Sequence, residues 1–346
     1  MRLHNGAQMR YTREQLTAAF LEKNRQKVEM LFSDADRYRK ECVGDEVYLR
    51  GVIEFSNYCR MDCLYCGLRR SNASLKRYRM EAKEILESAA LAAGLRIPTI
   101  VLQSGEDKFW KIKDICLLVE KIKKLGVAVT LSIGELSAAD YKQLKNAGAD
   151  RYLLRFETSD AALYGKLKPH STLSKRLRCL AALRKSGYEV GSGIMAGLPG
   201  QSAESIAGDI LLFKELDIDM IGIGPFIPHP HTPLSWAAPG TLDAVLKTVA
   251  LTRLVTGNTN IPATTAVGTI DPLGRQKALV CGANVLMPNI TPAEYRKYYE
   301  IYPDKICISE DVFKCRGCVE GMIKASGRTL SFGIGGRRGF GAEKKR

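Results

Sequence analysis

Short runs rich in β-branched residues recur eight times along this chain, separated by segments whose apolar residues fall three and four positions apart. The runs are Val47–Phe55, Thr99–Leu102, Val127–Leu131, Arg151–Phe156, Tyr188–Ile194, Met220–Ile223, Asn260–Thr265 and Asn284–Met287. Between them lie Ala82–Ala93, Ile112–Leu125, Ser137–Ala147, Leu173–Lys185, Ala203–Leu216 and Leu242–Val255. Alternation of this kind predicts parallel strands joined by amphipathic helices. Several helices end near a glycine (Gly94, Gly126, Gly148, Gly187), where a left-handed residue turns the chain toward the next strand. Eight such units close most simply into an α/β fold of the (β/α)8 TIM-barrel type, although an open doubly wound sheet has the same periodicity.

The strand ends favour the barrel. Polar or Gly/Pro-rich strings follow nearly every run: CRMDCLYC, QSGED, SIGE, Glu157–Thr158, MAGLPGQ, GPFIPHPHTP, TTA and MPN. Unusual residues gathered at the C-terminal ends of strands are what an active site at the top of a barrel requires. Residues 1–46 read as an N-terminal helical extension, 47–300 as the barrel, and 301–346 as a C-terminal tail carrying a second cysteine group and a basic end.

With 346 residues, 45% hydrophobic and 26% charged, the chain has material for a sizeable core and is neither disordered nor fibrous in composition. Met1–Gln15 has no apolar signal core, and no stretch of about 18 uninterrupted apolar residues occurs. Secretion and membrane spanning are disfavoured, and the cytoplasm is the expected location. The net charge of +15, part of it in Arg337–Arg346, attracts anions. No helix-turn-helix, RNP-like or zinc-finger pattern accompanies it, so nucleic acid is not an expected partner.

Ten cysteines without a secretion signal read as thiols or metal ligands rather than disulfides. Cys42, Cys116, Cys179 and Cys281 stand alone and read as structural. Cys59, Cys63 and Cys66 have C-x3-C-x2-C spacing in the loop after the first strand, so that a short turn can face three thiolates toward one metal centre. A zinc site or three incidental thiols are the plainer alternatives, but structural zinc prefers four ligands and no fourth lies nearby. An iron–sulfur cubane on three cysteines leaves one iron open to a small molecule.

This spacing, with Tyr65 as the aromatic residue just before the last cysteine, resembles the hallmark of the radical S-adenosylmethionine (SAM) superfamily. The resemblance implies a [4Fe–4S] cluster whose open iron is chelated by SAM, which one electron cleaves to a 5′-deoxyadenosyl radical. It implies cofactor contacts from Gln103, Ser104 and Gly105 to the methionine moiety, from Glu157 to the ribose, from Arg176 to a carboxylate and from Met195 to the adenosyl group. A plain βα turn would account for Gly105, solvated charge for Glu157 and Arg176, and core packing for Met195.

The longer strings EFSNYCRMDCLYCGLRRSN, TIVLQSGED, ADRYLLRFET, IGIGPFIPHPHTPL, IPATTAVGTI and CGANVLMPN resemble the HydE family of [FeFe]-hydrogenase maturases over about residues 45–320. That resemblance implies an oxygen-sensitive enzyme of H-cluster assembly whose radical acts on a cysteine-ligated iron carbonyl/cyanide complex. The maturase HydG would supply this complex, HydF would receive the product, and a ferredoxin or flavodoxin would be the reductant. Arg155, Thr264 and Thr265 would bind the anionic cargo, and Tyr299 and Tyr302, at the barrel mouth, would be further cofactor contacts, packing being their plainer reading. Cys307, Cys315 and Cys318 would hold an additional iron–sulfur cluster present in some members, zinc or no metal being the plainer reading. Phe156 is expected to point into packing, away from Arg155 and Glu157. His229 and His231 sit in a Pro-rich loop and receive no catalytic role. The alternatives are a methylornithine-synthase-like or other small-molecule radical enzyme, and an iron–sulfur carrier without turnover.

Overall fold

The structure is a computed structural model that describes residues 11–337. Six parallel strands run in sequence order: β2 (Gly51–Ser56), β3 (Thr99–Ser104), β4 (Ala128–Ser132), β5 (Arg151–Leu153), β6 (Glu189–Ala196) and β7 (Met220–Pro225). Ahead of them lies β1 (Glu46–Leu49); β8 (Val285–Leu286) and β9 (Thr329–Leu330) come last, flanking β1 in a second parallel group. The first expected run is thus divided at Arg50, its two halves pairing with different neighbours. The ring nonetheless returns to its start. Arg50 and Val52 donate backbone N–H groups to Leu286 and Pro288, and Ile290 donates to Val52.

The seventh run requires a correction. Asn260–Thr265 forms no continuous strand; it joins β7 through single parallel bridges at Asn260 and Ala263, and Val285 in β8 through one at Pro262. Pro262 has no N–H to donate, and Thr264 already caps the short helix Thr265–Ile270. β2 and β7 are buried along their whole length and β6 at all but one residue, as parallel strands covered by helices on one face are, whereas β3 and β4 become half-buried at their C-terminal ends.

The helices fall where the periodicity puts them. Leu173–Lys185 matches its expected span, and Ala82–Gly94, Ile112–Lys123, Ala138–Asn146, Ala203–Glu215 and Leu242–Thr256 agree to within two residues at either end. Caps explain the starts: Thr172, Ser202 and Thr241 each accept a backbone N–H from three residues on. Gly126, Gly148 and Gly187 take the left-handed backbone expected of them, but Gly94 stays inside its helix and Arg96 adopts the positive φ instead. Two further helices, Arg13–Leu21 and Arg25–Val43, pack outside the barrel against Ala203–Glu215 and Leu242–Thr256.

The C-terminal segment closes the other end of the barrel. Arg50 and Asn260 donate to the Gly335 carbonyl at 3.2 and 3.1 Å, and Arg151 and Thr99 to that of Ile334 at 2.9 and 3.0 Å. Arg151 is itself buried in an ion pair with Glu189. Of the basic end expected at Arg337–Arg346, all but Arg337 lies outside the described residues, as do the first ten of Met1–Gln15. No helix among the described residues is long and apolar enough to cross a membrane.

Asp209, fully buried on Ala203–Glu215, accepts the Ser159 N–H and holds the connector after Glu157. Burial pushes its carboxyl up from 3.8 to about 7. A raised folded-state pKa gives stability that is complete below pH 4 and is lost as pH rises through 7, up to about 4 kcal/mol. The Asp209→Asn protein keeps the oxygen that accepts from Ser159. Its melting temperature is expected to exceed that of the parent at pH 8, with the gap at least halved at pH 5; an equal gap at both pH values would refute the assignment.

Candidate functional site

The strand interiors and the loops after them surround a cavity of about 410 Å³. Cys59, Cys63 and Cys66 line one side of it. Their loop is held by backbone contacts that the sequence supports locally. Gly67 follows Cys66 at a point where a Cβ would lie 2.0 Å from the Glu300 carbonyl oxygen and 2.6 Å from the buried ring of His229. Asp62 is tied to Ser71 and Arg69, and Arg77 donates to the carbonyls of Asn57, Leu68, Arg69 and Asn72.

The loop after β3 is locked onto the cysteine loop. Gly105 donates to the Ser56 carbonyl at 3.1 Å, Arg60 N–H donates to that of Glu106 at 3.0 Å, and Cys59 Sγ accepts the Met61 and Glu106 N–H groups at 3.4 Å each. N–H donors aimed at a sulfur favour its thiolate, the form that ligates iron. Without metal, burial dominates: it pushes the Cys59 thiol up, and raises Cys66 further with the nearby charges of Cys63 and Cys59. No three His, Cys, Asp or Glu side chains among the described residues are grouped to hold a single ion. Three thiols lining one cavity suit a cluster, which places each thiolate on a different iron.

The expected strand-end residues line the same cavity. Gln103 and Ser104 end β3 and Gly105 follows it; Gln103 also bonds the Tyr299 hydroxyl, and Tyr302 bonds Thr269. Met195, at the end of β6, and Tyr65 belong to an apolar cluster with Leu198 and Phe226. Arg155 Nε donates to Glu157 at 3.0 Å, while its other nitrogens reach the Ile194 and Gly222 carbonyls at 2.6 and 3.3 Å. Phe156 points the other way, fully buried and 4.9 Å from Phe213, as alternation requires. Thr264 donates to the Ile223 carbonyl, and Thr265 lines the wall beside it.

Arg176 departs from expectation in its partner. Although buried at the cavity wall, it already pairs with Glu135 at 3.0 Å, which also takes Lys175 and Ser171. Burial alone would raise the Glu135 carboxyl, yet Arg176 and these donors hold it below its usual value. The second cysteine trio is divided. Cys307 and Cys315 hydrogen-bond to each other and line the cavity, whereas Cys318, one turn further along Val312–Ala325, is exposed and outside it. The Cys315 thiol donating to Cys307, with Arg275 nearby, pushes the Cys307 thiol down.

Among the cavity residues that escaped the sequence reading are Arg50, Glu54, Asn289 and Lys305. Arg50 is buried with no carboxylate in hydrogen-bond contact among the described residues; its guanidinium touches Met220 Sδ and the Gly335 carbonyl. Glu54 forms a buried ion pair with Lys305, and Asn289 donates to it at 2.9 Å. Breaking one partner of such a pair costs about 3–5 kcal/mol. A charge on each side of the apolar Gly51–Val52–Ile53 was a visible signal; Lys305, 251 positions from Glu54, offered none.

Residues 53–213 match the radical SAM superfamily model. The chain is 52% identical over 328 residues to the [FeFe] hydrogenase maturase subunit HydE of Thermotoga maritima, covering 95% of this chain and 94% of the relative. It is 29% identical to the 3-methylornithine synthase of Methanosarcina acetivorans, over 81% of this chain and 80% of that one. Among solved structures, methylornithine synthase (PylB) superposes with a TM-score of 0.84 at 24% identity, over 92% of this chain and 94% of that chain. HydG, a maturase of the [FeFe]-hydrogenase, superposes with a TM-score of 0.79 at 18% identity, over 93% and 72%. The last two likenesses bear on fold alone, and they match the barrel expected from the strand pattern.

Gly105 supplies a test of the site. A Cβ there would lie 2.3 Å from the Tyr58 carbonyl oxygen and 2.8 Å from Cys59 Cβ, whereas one on Gly94 meets nothing within 4 Å. Gly105→Ala is expected to fold, by circular dichroism, yet to take up severalfold less iron and sulfide on anaerobic reconstitution; Gly94→Ala should load like the parent. Parental loading by Gly105→Ala would remove the close approach from the argument.

Proposed function

The chain belongs to the radical SAM superfamily, in the family of the [FeFe]-hydrogenase maturase HydE, and from that premise we propose that it builds a precursor of the hydrogenase di-iron centre inside its barrel. Membership implies a [4Fe–4S] cluster and SAM. Cys59, Cys63 and Cys66 would hold the cluster, which when bound supplies the electron that cleaves SAM to a 5′-deoxyadenosyl radical. The observation that carries the reading is that these three thiols face the same cavity as the strand-end residues Gln103, Glu157, Met195 and Thr264.

In this reading each neighbour has a physical task. Gln103, Ser104 and Gly105 present polar and backbone groups beside the cysteine loop for the methionine end of SAM. Glu157 offers a carboxylate to ribose hydroxyls, and Met195 and Tyr65 form an apolar wall for the adenosyl group. Arg176 acts through Glu135 and neighbouring polar groups, its charge partly neutralised there. Buried Tyr299 excludes water from one side of the cavity, and Tyr302 forms part of the same wall.

The substrate we assign is a cysteine-ligated iron carbonyl/cyanide complex, with HydG as its source, HydF as the acceptor of the product and a ferredoxin or flavodoxin as reductant. An anionic complex is favoured by a low-dielectric cavity that contains Arg155, Arg50, Thr264 and Thr265, with Arg50 lacking a carboxylate contact. Cys307 and Cys315 would add thiol ligands further along the wall, where an auxiliary cluster is one use of them.

Anaerobically reconstituted protein should give a reduced [4Fe–4S] electron paramagnetic resonance signal that shifts on adding SAM, and should release 5′-deoxyadenosine. In the Cys63→Ala protein both should fall by at least about a hundredfold, as expected when a group that carries the chemistry is removed. An unshifted signal in the parent would overturn the reading. Release of 5′-deoxyadenosine that does not increase with the iron–cysteine carbonyl/cyanide complex would overturn the substrate assignment alone.

A further inference from the structure

We propose that the outer surface of the cysteine loop and the loop after β3 is the docking site for an acidic one-electron carrier protein. The proposal rests on the preceding reading in one respect, that a cluster on Cys59, Cys63 and Cys66 must be reduced. The carrier is oxidised by one electron and the cluster is reduced by one.

The charge is concentrated at this place. Residues 58–79 and 105–111 contain eight basic side chains and three acidic ones, net +5 in 29 residues, against +15 for all 346. A third of the excess thus sits on less than a tenth of the chain. All three acids turn inward. Asp62 and Glu106 have side chains 12% exposed and Asp107 4%, each paired with an arginine of the same surface: Arg69, Arg60 and Arg79. What faces solvent is Arg70, Lys76, Lys108 and Lys111; among the described residues no carboxylate lies closer than 3.7 Å to Arg70 and none forms an ion pair with the three lysines.

The two loops form one continuous face. Arg79 pairs with Asp107 and stacks its guanidinium on Tyr58 at 3.6 Å and on Phe109 at 4.6 Å. Tyr58 precedes Cys59 directly, and Phe109 is 61% exposed, beside the Arg79 guanidinium and between Lys108 and Lys111 in sequence. An exposed aromatic ringed by one sign of charge is the anatomy of a transient interface, in which charge steers the encounter and a small apolar contact completes it. Electron-transfer complexes are of this weak, small kind. Tyr58, Arg79, Lys108 and Phe109 are not among the residues that line the cavity, although the cysteine loop they adjoin is, so a carrier seated here meets the ligand loop from outside the cavity.

The test combines Lys76→Glu, Lys108→Glu and Lys111→Glu in the full-length protein. Binding of an oxidised flavodoxin, and separately of a low-potential ferredoxin, is measured by calorimetry at low and at 0.3 M salt. This reading does not depend on turnover. The parent should bind at least one carrier, with affinity falling at high salt, and the triple variant should bind about tenfold or more weakly at low salt. Reduction of the cluster by that carrier should slow by a similar factor, while reduction by photoreduced deazaflavin, which needs no docking surface, should not change. Binding of neither carrier, or binding that the variant preserves within twofold, would overturn the proposal. So would equal or tighter binding of double-stranded DNA lost with the same reversals, because the surface would then be a general anion site. Absence of SAM cleavage with deazaflavin would count against the function proposed above, and the binding result would stand apart from it.

Discussion

Parallel strands joined in one ring deliver all their C-terminal ends to one rim, and this constraint organises everything else in the molecule. A strand here has no freedom to place its loop elsewhere. The ring is closed by a run that changes partners at Arg50: β1 pairs with β8 and β9, while β2 pairs with β3. Direct pairing of β2 with β3 sets the distance between them, and with it the approach of Gly105 to Cys59. The cysteine loop is therefore shaped as much by the neighbouring strand's end as by its own sequence.

Closing a barrel around charged groups has an electrostatic cost, and the structure distributes it. Arg151 is paired with Glu189, Lys305 with Glu54 and Arg176 with Glu135. Arg50 is not, and burial together with nearby Arg151 pushes its guanidinium down to about 9. A buried cation without a carboxylate destabilises the empty barrel and stabilises an anion that enters it. The carbonyls of Ile334 and Gly335, brought across the base of the barrel by the C-terminal segment, offset part of that cost. The same segment closes the end of the barrel opposite the rim.

The sequence made legible whatever depends on local periodicity or on short spacing. Leu173–Lys185 was readable because Thr172 caps a 3.6-residue pattern, and the three thiols because only six residues separate Cys59 from Cys66 in number after one strand. Asn260–Thr265 misled because its β-branched residues satisfy a strand pattern while Pro262 and the cap at Thr264 prevent a ladder. Arg176 was read as a donor to a carboxylate, but neither its burial nor the identity of that carboxylate was legible, since Glu135 lies in a different βα unit. The seal at Ile334–Gly335 could not be read at all: it acts through backbone carbonyls, which every sequence possesses. The second trio looked like one site because Cys315 and Cys318 are three residues apart, yet only Cys315 turns toward Cys307.

Glu157 shows how a site residue can be held against local preference. Its φ of +65° is a left-handed conformation that a residue with a Cβ adopts at a cost of about 1–2 kcal/mol. Regular pairing of β5 ends at Leu153, so the strand itself does not impose this geometry. Instead Glu157 donates to the Gly193 carbonyl at 2.9 Å and accepts from Met195 N–H at 3.3 Å, so both of its backbone groups are bound to β6. Phe156 is anchored against Phe213 on the far side, and Asp209 holds Ser159 just beyond. With its neighbours fixed on both sides, the backbone at 157 has one way to turn, and that turn presents the carboxylate to Arg155 and to the cavity. The strain is thus confined to a single residue whose side chain lines the cavity, while Phe156 and Thr158 on either side are buried.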